Sequence, residues 1–239
     1  MYFILRTLQR SGTHAISEWL LQDHNAKFFN NIDPPFARWK SLNSSEITSV
    51  NNKQMEKILR NNQDNKKIIF GLEDQNIWHK LHPDYELDQI NILLIRSPIN
   101  YFCSLIKFRK HLQNHPRTLY YAVQNWKSYA YEFIGKTNFH SNKINILFDS
   151  WNLDASYRQR LYKTFEEFDF SFDPLNKDYI SDAGGGSSFT GTTVKGRELT
   201  KAVSNRINDL EPNLQMIVKS IMKDEEINSL YEQIKKSVY

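Results

Sequence analysis

Four short apolar runs, Tyr2–Leu5, Lys67–Phe70, Ile90–Ile95 and Ile144–Phe148, constrain the fold more than any other feature of the sequence. Each is rich in β-branched or aromatic residues and bounded by polar or turn residues. None alternates strictly between apolar and polar positions. Strands of that kind have no water-facing side and must be covered on both faces. Lys27–Phe29 is a fifth, shorter candidate. Between the runs lie stretches with helical spacing, Thr13–Gln22, Pro98–Leu112, Thr118–Ile134 and Ser156–Phe168, and the tail from Arg197 to Ser237 is mostly helical in pattern. Strands interleaved with helices predict an α/β fold of three layers, with a central, mostly parallel sheet flanked by helices. Right-handed crossovers then gather the carboxyl ends of the strands along one edge, where ligands bind in such folds. No repeat or shift of composition divides the 239 residues, so one domain over 1–239 is expected, its helical C-terminal portion starting at about 197.

Charge and cysteine content narrow the function classes. A net charge of +4 suits an anionic ligand and is too small for wrapping nucleic acid, which is not expected as a partner. The single cysteine, Cys103, excludes an internal disulfide. It lies in the apolar run Ile99–Ile106 and reads as a small buried residue. A reducing, cytoplasmic setting is the expectation. No apolar run approaches the roughly 18 residues of a membrane span, and Met1–Arg6 lacks the build of a signal peptide.

Arg6-Thr7-Leu8-Gln9-Arg10-Ser11-Gly12-Thr13-His14 follows the first strand and opens directly into a helix. Gly12 allows close backbone approach. The free amides of a helix start favour an anion, and Ser11, Thr13 and Arg10 add hydroxyl and guanidinium donors. A phosphate or sulfate cradle fits this chemistry. Walker A does not fit, because both its leading glycine and its lysine are missing. The plain alternative is a helix capped by Ser11 or Thr13. A second strand-to-helix junction, Ile95-Arg96-Ser97-Pro98 with Ser104 two turns further on, places an arginine at a strand tip and a hydroxyl on the following helix. Such a pair can hold another phosphate. In isolation, Arg96 would read as a surface or salt-bridged residue and Ser104 as a packing residue.

Taken together, the two junctions resemble the family of sulfotransferases that use 3′-phosphoadenylyl sulfate (PAPS). Arg10-Ser11-Gly12-Thr13 is similar to that family's 5′-phosphosulfate loop, [RK]-S-G-T, and Arg96 with Ser104 is similar to its 3′-phosphate motif. Ile144–Phe148 with Asp149-Ser150-Trp151 and the next helix has the family's late strand–helix cadence. Gly184-Gly185-Gly186-Ser187-Ser188-Phe189, leading to Lys195-Gly196-Arg197, resembles the glycine-rich basic segment that closes over the nucleotide. The resemblance spans roughly residues 1 to 200. It departs from the family at His14, which replaces a second loop threonine, at Ala15, where an adenine-stacking tryptophan is common, and at Ser97, where aspartate or asparagine is usual.

The resemblance implies a P-loop NTPase-like sulfotransferase architecture, PAPS as cosubstrate, PAP as product and no metal. It implies that Arg10 touches the transferring group and that Ser11, Gly12, Thr13 and His14 surround the 5′-phosphate. Arg96 and Ser104 would grip the 3′-phosphate, joined by Lys195 or Arg197. The acceptor hydroxyl needs a general base. Glu73, beyond the second confident strand, is the first candidate, with Asp74, His79 and His82 as alternatives and a helix-start carboxylate as the plain reading of Glu73. The seven histidines form no recognisable ligand set. A hydroxyl-bearing acceptor, a carbohydrate or glycolipid, is expected. The basic cluster Lys107, Arg109, Lys110, His111, His115 and Arg117 reads first as a solvated face and second as a site for an acidic acceptor. Of Tyr120, Tyr121, Trp126, Tyr129 and Tyr131, most are expected in the core. Two rival functions remain at this point, a P-loop kinase using ATP and a non-catalytic nucleotide-binding module.

Overall fold

A computed structural model describes residues 2–29, 57–61, 66–73, 76–78, 89–109, 112, 115–176 and 206–239. Its strands are β1 (Tyr2–Thr7), β2 (Ala26–Phe29), β3 (Lys67–Glu73), β4 (Gln89–Ile95) and β5 (Lys143–Leu147). Its helices are α1 (Thr13–Leu20), α2 (Pro98–Phe108), α3 (Pro116–Phe133), α4 (Phe148–Leu153), α5 (Ala155–Glu166), α6 (Pro212–Ile221) and α7 (Glu225–Val238), with a 3₁₀ turn at Arg206–Asp209. All four apolar runs, and the shorter fifth one, are strands. The sheet is parallel throughout, in the order β2-β3-β1-β4-β5.

The absence of strict alternation has the cause inferred from the sequence. Phe3, Leu5, Ile92, Leu94, Ile144 and Ile146 face one way, onto Ile16, Trp19 and Leu20 of α1, Trp151 of α4 and Leu161 and Phe165 of α5. Leu93, Ile95 and Leu147 face the other way, onto α2, α3, α6 and α7. Both sides of β1 and β4 are therefore dry, giving the three layers expected of a doubly covered sheet.

Two boundaries differ from expectation. The chain does not run on from strand Ile144–Phe148 through a loop. β5 stops at Leu147, and Phe148 begins the six-residue helix α4. The helix after Pro98 ends at Phe108 rather than Leu112.

β1 lies between β3 and β4. From β1 the chain leaves by α1 toward β2 and β3, and from β4 it leaves by α2 and α3 toward β5 on the opposite side. The carboxyl ends of β1 and β4 thus flank the point where the winding direction reverses. That crevice is the usual ligand position in open parallel sheets.

Candidate active site

The register brings the two predicted junctions side by side. Thr7, the last residue of β1, pairs with Glu73 at the end of β3 and with Leu94 near the end of β4. Arg10 and Arg96 leave adjacent strand tips, and Arg96 Nη1 donates to the Arg10 carbonyl oxygen at 3.1 Å. The separation of 86 residues in sequence becomes one hydrogen bond in space.

The first loop is tightly wound. Arg10 adopts φ 72° and Gly12 φ 102°, both left-handed, and the Ser11 N–H closes the turn onto the Leu8 carbonyl. Gly12 is the N-cap of α1. No side chain caps this helix and no acidic residue stands in its first turn. The simple reading of Ser11 or Thr13 as a cap therefore does not hold. The first amides of α1 have no intrahelical acceptor, and the dipole there favours an anion. Glycine is required at position 12 on two counts. Its φ disfavours a side chain, and an added Cβ would lie 2.2 Å from Cε2 of Phe148.

Polar groups are buried behind this loop. Ser11 is fully buried, and its Oγ has no hydrogen-bond partner among the described residues. Thr13 is also buried, with Oγ1 2.9 Å from Thr7 Oγ1. Thr13 is thus free to donate to an anion only when Thr7 supplies the proton of that bond. His14 lies half-buried on α1 and accepts at its carbonyl from Ser17 Oγ.

Arg96 is buried, with its guanidinium 5.0 Å above the Phe148 ring. Its Nε and Nη2 are buried without hydrogen-bond partners among the described residues. Burial holds its pKa down to about 10; Asp149 opposes the shift and Arg10 adds to it. Arg10 stacks 4.7 Å over the ring of Phe108, an exposed side chain at the end of α2. Burial lowers the Arg10 pKa as well, against the opposing pull of Glu73. Glu73 is therefore close enough to feel Arg10, and it is the last residue of a strand rather than the start of a helix. Ser104 is buried on α2, one turn after Asn100 and two after Ser97.

Three groups at the site had no role assigned to them from the sequence. Asp149 on α4 accepts from the Ser97 N–H at 2.6 Å, from Ser97 Oγ at 2.8 Å and from Asn100 Nδ2 at 2.7 Å. It fixes the turn that carries Arg96, and Trp126 Nε1 secures the same turn by donating to the Arg96 carbonyl at 3.0 Å. Phe148 fills the space between Gly12 and Arg96. Arg206, first residue of the 3₁₀ turn, is buried and lies within electrostatic reach of Arg96, Arg10, Asp149 and Cys103. The segment Phe148-Asp149-Ser150 follows a strand and so carried a signal. Arg206 carried none, being one cation in a tail readable only as helical.

Other expected groups fall elsewhere. Lys195, Arg197, Asp74, His79, His82, Lys110, His111 and the Gly184–Phe189 segment lie outside the described residues. Trp126 and Tyr129 are core residues, whereas Tyr120 and Tyr121 are exposed. Cys103 is buried beneath the site with its thiol pKa pushed up to about 12 by burial, which leaves it inert. Among the described residues there is no cluster of His, Cys, Asp and Glu able to hold a metal, and no helix is long and apolar enough to cross a membrane.

No family model matches the chain, and no curated protein matches it. Among solved structures it is similar to the sulfotransferase domain from the curacin biosynthetic pathway, at 15% identity and TM-score 0.47, over 93% of this chain and 97% of that one. It is similar to the sulfotransferase domain of the Synechococcus PCC 7002 olefin synthase, at 11% identity and TM-score 0.45, over 100% of this chain and 94% of that one. It is also similar to mouse sulfotransferase SULT7A1 complexed with PAP, at 13% identity and TM-score 0.44, over 97% of this chain and 88% of that one.

Proposed function

We propose that this protein transfers a sulfuryl group from PAPS to an acceptor hydroxyl, on a carbohydrate or glycolipid. The observation that carries the reading is the Arg96-to-Arg10 hydrogen bond at the reversal point of the sheet. It sets two anion-binding strand ends beside each other, with Ser11 Oγ, Arg10 Nε and Arg96 Nε and Nη2 buried and unpaired among the described residues. Two such ends suit a ligand with phosphates at both ends of one nucleoside. Buried donors without partners are costly, so a site that keeps them is built for a ligand that satisfies them.

In this reading the amides of Gly12 and Thr13 and the hydroxyl of Ser11 hold the 5′-phosphate at the α1 N-terminus. Arg10 stabilises charge growing on the oxygens between phosphorus and sulfur. Sulfuryl transfer, like phosphoryl transfer, depends on in-line positioning and charge stabilisation more than on covalent chemistry by the protein. Arg96 and Ser104 hold the 3′-phosphate, and Lys195 and Arg197 are assigned to the same end on the resemblance of their segment. Glu73 takes the acceptor proton as the S–O bond to the acceptor forms and the bond to the leaving phosphate breaks. Its place at the β3 tip, beside the Arg10 guanidinium, suits that role.

Thermal protection by PAP, ATP and ADP separates this proposal from a kinase or a silent nucleotide binder. A ligand at 100 times its Kd adds about 2.7 kcal/mol of stability. Preferential protection by PAP, followed by transfer of labelled sulfate from PAPS to a hydroxyl acceptor panel, is the expected result. Preference for ATP overturns it.

A further inference from the structure

On the nucleotide reading above, we infer that α7 is a positioning element of the site, with Tyr239 at its C-cap holding α4 through Ser150 and so keeping Asp149 and the Arg96 turn in their binding geometry. α4 has six residues, too few to be stable as a helix alone. It nevertheless carries two groups of the site. Phe148 lies against Gly12 and Arg96, and Asp149 accepts from Ser97 and Asn100. Ser150 is the next residue of the same helical turn, so a group that restrains Ser150 restrains Asp149 as well. Ser150 is buried, and the Tyr239 hydroxyl donates to its Oγ at 3.1 Å across 89 positions of sequence.

α7 can act on α4 because it is itself fixed along its length. At its start, the Asp224 side chain caps the helix by accepting from the amides of Glu226 and Ile227. Lys127 of α3 pairs with Asp224 at 2.7 Å and also with Glu226. Ile227, Leu230 and Ile234 are buried in the cluster shared with α2 and α3. At its end, the Val238 side chain packs against the clusters on both faces of the sheet. The Val238 carbonyl accepts from Arg160 Nη2 of α5 at 3.2 Å. Tyr231, about 12 Å back along the helix axis from Tyr239, packs against the α2 and α3 side. Burial first, and then the Asp149 charge, raise the pKa of the Tyr231 hydroxyl, and Ser97 opposes them. The helix is therefore a strut with one end on α3 and the other on α4. Tyr239 is 75% exposed, and loss of a hydroxyl from such a residue has little effect on the stability of the whole fold. Its effect on the geometry of α4 can thus be measured separately.

The dissociation constant of PAP is measured by calorimetry on the full chain for wild type, Tyr239→Phe, Ser150→Ala and the double variant. The thermal midpoint of each is measured without ligand. Tyr239→Phe is expected to weaken PAP about 3- to 10-fold, as loss of one neutral hydrogen bond does, with the midpoint nearly unchanged. Ser150→Ala breaks the same bond, so the double variant is expected to bind PAP no more weakly than the weaker single variant. PAP affinity of Tyr239→Phe within about 1.5-fold of wild type overturns the inference, and so does a lowered midpoint with unchanged PAP affinity, which would mark Tyr239 as scaffold. Losses that add in the double variant also overturn it, because the two side chains would then act separately. Should Ser150→Ala fail to fold, Tyr239→Phe decides alone by its affinity and midpoint. A wild type that does not bind PAP overturns the nucleotide reading itself.

Discussion

Replacing Gly12 by alanine tests the packing that joins the two halves of the site. Two costs are built into that position. The backbone sits at φ 102°, where a residue bearing Cβ is strained by about 1–3 kcal/mol. The new methyl would also stand 2.2 and 2.3 Å from Cε2 and Cδ2 of Phe148. The ring cannot swing freely aside, since Trp151 lies 5.6 Å from it between centroids and the Arg96 guanidinium sits 5.0 Å over its face. Overpacking of this kind costs about 1–3 kcal/mol. Gly12→Ala should therefore lose about 2–6 kcal/mol in urea unfolding, a large share of the 5–15 kcal/mol typical of a folded domain. A double-mutant cycle with Phe148→Ala divides the two terms. Removing the ring abolishes the clash and leaves the backbone strain, so the double variant should be less damaged than the sum of the singles by about 1–3 kcal/mol. Additivity within about 0.5 kcal/mol would show that Phe148 does not restrict this position, and a neutral Gly12→Ala would refute the strained geometry altogether.

Four further outcomes follow from the site and its support. Arg10→Ala should lower kcat on the order of a hundredfold or more, as loss of one preorganised charge donor does, and near-wild-type turnover in a folded variant removes Arg10 from the chemistry. Glu73→Gln should lower the rate and abolish the limb of the pH–rate profile set by the general base; an unchanged profile and rate shift the role away from Glu73. Asp149→Asn should cost about 2–4 kcal/mol in stability and weaken PAP more than tenfold, because the carboxylate accepts three hydrogen bonds that hold the Arg96 turn; unchanged PAP affinity in the folded variant would separate Asp149 from the site. His140 is buried beside Arg6 and bonded through Nε2 to the Ile77 carbonyl at 2.6 Å, and burial first, then Arg6, holds its pKa down to about 4. Since the unfolded chain takes up that proton near pH 6.5 and the folded protein does not, stability should fall by about 3 kcal/mol as the pH drops from 6.5 to 4. His140→Gln should lack that share of the acid dependence, and an equally steep profile for the variant would show that His140 does not cause it.

Sequence patterning made the sheet legible because burial on both faces leaves an unmistakable mark. A strand such as Ile92-Leu93-Leu94-Ile95 has no polar position to spare. The loop at Arg10–Thr13 was legible for a different reason, since its local residue types already specify a helix start with donors around it. Phe148 was readable as apolar but not as the edge of a new helix, because a strand residue and a helix N1 residue look alike where no cap residue separates them. Asp149 was visible as a residue but its partners were not, since Ser97 lies 52 positions away and no short-range rule connects them. Arg206 shows the limit most clearly. Its neighbourhood of other cations is created by the 3₁₀ turn folding back onto α2.

The cost of the arginine cluster explains why its support is so extensive. Burial draws the Arg96 pKa down to about 10, so its charged form is disfavoured in the folded protein by about 3 kcal/mol. The sign is fixed by the direction. A cation with a lowered pKa destabilises the fold at every pH below about 10, and the penalty is relieved only above it. At neutral pH the protein carries the full cost. Something must hold Arg96 in place against that cost, and the structure supplies it: the Arg10 carbonyl, the Phe148 ring, the Trp126 indole on its own carbonyl and the Asp149 hub. Each of these is fixed by the sheet or by a packed helix, not by a ligand. Side chains already held in place lose little freedom when an anion arrives, and the anion in turn relieves the repulsion among them. Burial is the larger part of that cost and repulsion from Arg10 the smaller part, and a bound anion would relieve both. In the proposed reading, a monoanion would relieve part of it, whereas a ligand with a phosphate at each end would reach both the α1 N-terminus and the Arg96 side at once. On that reading a preference for two phosphates would follow from the charge the scaffold has buried, before any contact with the nucleoside is counted.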